Sequence, residues 1–215
     1  MIVSDLHLAQ RLERQEALGG AHFVEARARI SPEVGAEWFE AAGAYVMFDG
    51  PKSPTTQTFG LGLYAEPTPA DLDRIEAFFR ERGAPVCHEV SPLAGVAVAG
   101  MLSARGYRPI EFTSVMYQPA ARVPDSQSDL EVRLMVAGEE ELWSQVSARG
   151  WAEQPELTEF LLGFGRLVAA TEGSLNFFAH LKGVPIATAV MIARGRFFCA
   201  FLISPASWSA CSKPR

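Results

Sequence analysis

Few side chains in this sequence are spaced for chemistry, and the most conspicuous are an adjacent acid and base. His88 and Glu89 stand side by side in a short strand-like run, residues 85–90. Consecutive strand side chains point to opposite faces, so the two cannot form a catalytic pair. One is expected to be buried or hydrogen-bonded and the other exposed. His7, His22 and His180 have no carboxylate or thiol partner at metal-ligand spacing, and no nucleophile motif surrounds any Ser or Cys. No metal is therefore expected. Cys87, Cys199 and Cys211 are odd in number and far apart, which reads as reduced thiols in a cytoplasmic protein.

The elements that must position any site are alternating helices and strands. The 215 residues suit one large domain or two small ones, and 48% of them are apolar. A formal charge of -6 argues against a nucleic-acid partner, which needs Lys and Arg to neutralise phosphates. The arginines between Arg11 and Arg29 are interleaved with Glu13, Glu16 and Glu25, as on a solvated helical face. Residues 1–5 carry no basic region leading into an apolar stretch, so no secretion signal is expected there. The longest mostly apolar runs, 184–193 and 197–203, are too short for a membrane helix of ~20 residues.

Residues 5–30 read as a helix interrupted at Gly19-Gly20. Residues 38–48 and 56–64 read as two strands of a hairpin with a long tip rich in Gly and Pro. The next helix is the best marked: Thr68 caps it, Pro69 and Asp71 suit its start, Leu72, Ile75, Phe78 and Phe79 form its buried stripe, and Gly83 ends it. A strand at 85–90, a helix at 93–105 closed by Gly106, and a strand at 108–117 follow. The polar stretch 119–128 reads as a linker. Beyond it come a strand at 130–136, helices at 139–149 and 155–171, and three strands at 175–181, 185–193 and 197–203, with turns at Gly183 and Gly195.

Strand, two helices, then an antiparallel meander resembles the opening of the GNAT superfamily of acyl-CoA-dependent N-acyltransferases. The end of the first half is similar to the close of the same fold: helix 93–105, the corner Gly106-Tyr107, then strand 110–117. The resemblance implies an α/β (α+β) fold with a mixed, mainly antiparallel sheet flanked by helices, in two halves. Residues 1–118 would be a degenerate GNAT-like domain, 119–128 a linker, 129–204 the first part of a second such domain, and 205–215 an irregular tail. It also implies acetyl-CoA as co-substrate and a small-molecule or peptide amine as acceptor. Pantetheine would lie along the last strand, at Ala200, Phe201, Leu202 and Ile203. Trp151, Glu153 and Gln154 fall where the family borders its acceptor, an aromatic and a carboxylate that suit a cation; a surface connection in which Trp151 covers a helix end is the alternative. Where the family often places an acidic Tyr, four residues before the corner glycine, this chain has Leu102.

The family's most specific feature is a loop Arg/Gln-x-x-Gly-x-Gly/Ala after the fourth strand. Its glycines let backbone N–H groups close on the CoA pyrophosphate at a helix N-terminus. No such loop follows residue 203: residues 204–215 contain no glycine and no helical pattern. Losing two or three charge-assisted hydrogen bonds of ~1.5–3 kcal/mol each weakens binding roughly a thousandfold or more, so weak or no acetyl-CoA binding is expected. Gln57-Thr58-Phe59-Gly60-Leu61-Gly62 satisfies the pattern in letters, but its glycines alternate like one face of a strand and read as close-packing positions. The expected activity is GNAT-type N-acetyl transfer to an amine, impaired in this chain; the alternative is a non-catalytic binding or dimerisation module.

Residues 197–203 are apolar on both faces, the pattern of a strand covered on each side. Self-association through the open sheet edge is expected, with neither nucleic acid nor membrane as partner. The sequence after Ser204 bears no relation to what precedes it, as in a truncated or out-of-frame end.

Overall fold

The computed structural model describes residues 5–115, 129–150, 158–194 and 197–203. It opens with one long helix, α1 (Leu6–Ile30), whose first turn is capped by Asp5 accepting from the Leu8 N–H at 2.7 Å. The expected break at Gly19-Gly20 is absent, because the glycines serve packing. A Cβ on Gly20 would sit 2.9 Å from the Met47 sulfur, and one on Gly19 would lie 3.6 Å from Ile192. Met47 belongs to the first sheet and Ile192 to the second, so α1 is narrowest where both sheets approach it.

The first sheet has the order β1 (Glu37–Ala41), β2 (Ala44–Phe48), β3 (Gln57–Phe59), β4 (His88–Glu89). β1 and β2 form a tight hairpin, not the single strand expected over 38–48. The two turn residues, Ala42 and Gly43, both have positive φ, the arrangement that matches strand twist in two-residue loops. β2 pairs antiparallel with β3 across the expected long tip. That tip is fixed by Asp49, whose fully buried carboxylate accepts from Arg27 Nε of α1 at 2.9 Å and from Ser53 Oγ at 2.7 Å. β3 then pairs in parallel with β4.

Between these strands runs α2 (Pro69–Glu81), with the expected cap in full: Thr68 accepts from the Asp71 N–H, and Asp71 accepts from the Thr68 N–H. Leu72, Ile75, Phe78 and Phe79 are buried against Ala44, Val46 and Phe48. A turn at Pro92–Ala94 precedes α3 (Val96–Ala104), so the helix expected over 93–105 is split by Gly95. Residues 108–115 join no described sheet, contrary to the strand expected over 108–117; Met116 and Tyr117 lie outside the described residues.

The second sheet follows the expected order closely: β5 (Leu130–Leu134), α4 (Glu140–Arg149), α5 (Thr158–Ala169), then an antiparallel meander of β6 (Ser174–Leu181), β7 (Val184–Arg194) and β8 (Phe197–Ile203). One face packs on α4, α5 and α1, burying Trp143, Leu167, Phe178, Val190 and Ile192 together with Phe23 and Ala26. Another face of α1, Ala17, Ala21 and Val24, is buried against Tyr45, Met47 and Phe59 of the first sheet. The fold is thus α/β, with a mixed sheet and an antiparallel sheet, flanked by helices and sharing α1.

Candidate functional site

The strand expected to lie beside pantetheine is present as β8. Ala200, Phe201, Leu202 and Ile203 stand opposite Met191, Val190, Ala189 and Thr188 of β7, and β8 is the outermost strand of its sheet. Trp151, Glu153 and Gln154 lie outside the described residues.

Gln57–Gly62 departs from the strand-face reading. β3 stops at Phe59 because Gly60 and Gly62 adopt φ of +77° and +80°, a region that L side chains rarely enter. The expectation of close packing holds. A Cβ on Gly60 would lie 2.9 Å from Tyr64, and one on Gly62 would lie 2.5 Å from Val98. Both approaches are filled by the chain itself. The start of α2 is also taken, since the Asp71 carboxylate accepts from the Thr68 N–H at 2.8 Å and from its hydroxyl at 2.7 Å. These residues do not fit a nucleotide diphosphate.

A different set of groups has unusual electrostatics: Glu13 and Glu16 of α1 with Glu89 of β4. Their spacing of three residues puts Glu13 and Glu16 on one helix face. Burial, with the charges of Glu89 and Glu16, pushes the Glu13 carboxyl up to about 7. Burial raises Glu16 too, and burial with Glu16 and Glu111 raises Glu89. Glu13 Oε2 is buried and has no hydrogen-bond partner. Tyr64 stands close enough to feel the Glu13 charge, and its hydroxyl donates to the Gln10 carbonyl at 2.6 Å. The neighbouring Arg14 is engaged elsewhere: it stacks over the Tyr45 and Tyr64 rings and donates to the Tyr45 hydroxyl at 2.9 Å. A carboxyl half-protonated near neutrality, with two acids beside it, can receive a proton from an ammonium group and hold the cation that delivers it.

The sequence reading missed this group, since it treated the Arg11–Arg29 face as solvated. The spacing of Glu13 and Glu16 was a usable signal; their meeting with Glu89 was not, because it depends on how α1 crosses β4.

His88 and Glu89 face different neighbours, Tyr107 and Glu16, but both are half-buried, so neither is the expected exposed member. The His88 ring meets Tyr107 edge-on at 4.8 Å between centroids, and both ring nitrogens are buried without a partner. Burial lowers it to about 4, against the opposing pull of Glu76, so it is neutral at ordinary pH. Burial alone would raise Glu76, but hydrogen bonds from Arg105, Tyr107 and Arg80 outweigh that and lower it. This side of β4 is a structural network. Leu102 is half-buried against the first core and donates no proton.

In the second sheet, Arg133 of β5 forks onto Glu139 at 2.7 and 2.8 Å, which joins that strand to the start of α4. Those bonds and the Val136 N–H hold Glu139 down at about 2. His180 is buried beside the Phe178 ring. Gln15, between Glu13 and Glu16, turns toward the second sheet and donates to the Ile192 carbonyl at 3.4 Å. Among the described residues, no group of three or more His, Cys, Asp or Glu could hold a metal ion, and no helix is long and apolar enough to cross a membrane. No family model matches the chain, and no curated protein or solved structure matches it significantly.

Proposed function

We propose that this chain derives from GNAT-type N-acetyltransferases, which move an acetyl group from acetyl-CoA to an amine, and that its acceptor is a cationic small molecule or peptide amine. The observation that carries the reading is the second sheet: strand, two helices and antiparallel meander, in the order and spacing of that superfamily's opening. The carboxylate trio is the best-suited acceptor group. Glu13, near 7, would take the proton that an amine must lose before its lone pair attacks a thioester carbonyl. Glu16 and Glu89 would hold the incoming ammonium.

A second reading, a non-catalytic module on the same fold, is favoured by the filled glycine positions at 60 and 62 and the self-capped start of α2. Calorimetry with acetyl-CoA separates the two, followed by thiol release in the presence of di- and polyamines. Binding at micromolar or tighter with amine-dependent thiol release supports the enzyme. Silence up to millimolar acetyl-CoA supports the module.

A further inference from the structure

Among the described residues, nothing covers one face of the second sheet, and the composition of that face is uniform. Cross-strand pairs share a face, and Leu130 pairs with Leu181, Val132 with Ala179, and Leu134 with Phe177. The row continues into β7 through Leu181–Val184 and Leu175–Met191. Every residue of this row is apolar. Val132 is 66% exposed, Val184 60%, Leu134 48% and Leu130 47%. The opposite face of the same strands is the buried core around Phe178 and Val190.

We infer that this face is a contact surface for a second copy of the same chain. Two observations select that occupant. The first is area. The 8 residues of β6 span about 26 Å, and the three strands β5, β6 and β7 span about 14 Å, so the described face projects roughly 370 Å². Two such faces together give roughly 740 Å² in projection, and the protruding side chains add accessible surface that carries the total toward the ~1,200 Å² lower end of specific interfaces. The second is charge. The row offers no ionic group that a charged partner could recognise, whereas an apolar sheet face can pack on its own copy about a twofold axis, with sheets ~10 Å apart. The largest apolar patch of a typical monomer is itself ~300–600 Å² and often functional, and this face falls in that class. The contact uses the sheet face and is separate from pairing at the outer edge of β8.

Sedimentation velocity on the full chain from 1 to 100 µM tests this. A dimer is expected, and Val132→Glu should raise its dissociation constant at least roughly tenfold by placing two like charges in the contact. Val184→Lys, on a different strand of the same face, should do the same, while Glu131→Lys, of opposite parity on β5, should leave the dimer intact. Unchanged far-UV circular dichroism verifies that each variant is folded. A monomer throughout the range, aggregates without fixed stoichiometry, or dimers indifferent to both Val132→Glu and Val184→Lys would overturn the inference.

Discussion

The two sheets rest on different faces of one helix and differ in what covers their other side. In the first sheet, β2 is buried along its whole length, with α1 packed on one face and α2 on the other. In the second, α1, α4 and α5 share one face, and the opposite face exposes Val132 and Leu134. An antiparallel sheet tolerates one wet face when that face is polar. Here it is apolar, so the second sheet depends on a contact that the first does not need. The carboxyls raised by burial belong with the covered sheet, where Glu13, Glu16 and Glu89 are desolvated, whereas Glu139 beside the second sheet is lowered by its hydrogen bonds from Arg133. Removal of water is what raises a carboxyl, and it is the covered sheet that supplies it.

The comparison can be broken most forcefully in the cores. Phe79→Ala in the first sheet and Trp143→Ala in the second each remove a fully buried ring and should cost about 3–5 kcal/mol. Because α1 lies in both cores, a single unfolding transition is expected by calorimetry for either variant. Two resolved transitions would mean that the sheets are independent. A finer cut uses neighbours on α1. Val24→Ala removes contacts to the first sheet only, about 1.6 kcal/mol at ~0.8 per methylene-sized group. Native-state hydrogen exchange should then rise in β2 more than in β6. Smaller still is Thr68→Ala, which deletes half of the α2 capping box and should cost ~1 kcal/mol in denaturant titration.

The pH dependence tests the desolvated acid. Glu13 is raised from 4.5 to about 7 in the folded chain, so the unfolded chain releases this proton first. Its contribution to stability is present below pH 4.5 and is lost as pH rises towards 7. Glu13→Gln should therefore melt above the wild type at pH 8 and together with it at pH 4. An equal offset at both values would show that Glu13 does not titrate in that window.

Much of this architecture was legible in local chemistry. The α2 stripe and cap, the long hairpin tip and the meander 174–203 follow from periodicity and turn residues alone. The β1–β2 turn was not, since Ala42 supplies a positive φ that its residue type does not advertise. Gly19 and Gly20 look like a helix breaker and act as a landing place for two sheets. The exposed row of the second sheet was visible only in part. Sequence suggested a need for cover at 197–203; the apolar surface that the described residues leave open is on β5, β6 and the start of β7. The carboxylate trio was the least legible, because residues on α1 and β4 meet only through tertiary packing.

The account rests on Glu13 being a proton acceptor poised near neutrality, and side-chain carboxyl carbon NMR reads this directly. In selectively labelled protein, Glu13 should titrate near pH 7, and a diamine at millimolar concentration should lower that midpoint by binding the ionised form. A midpoint near 4.5 that does not move with amine would contradict it.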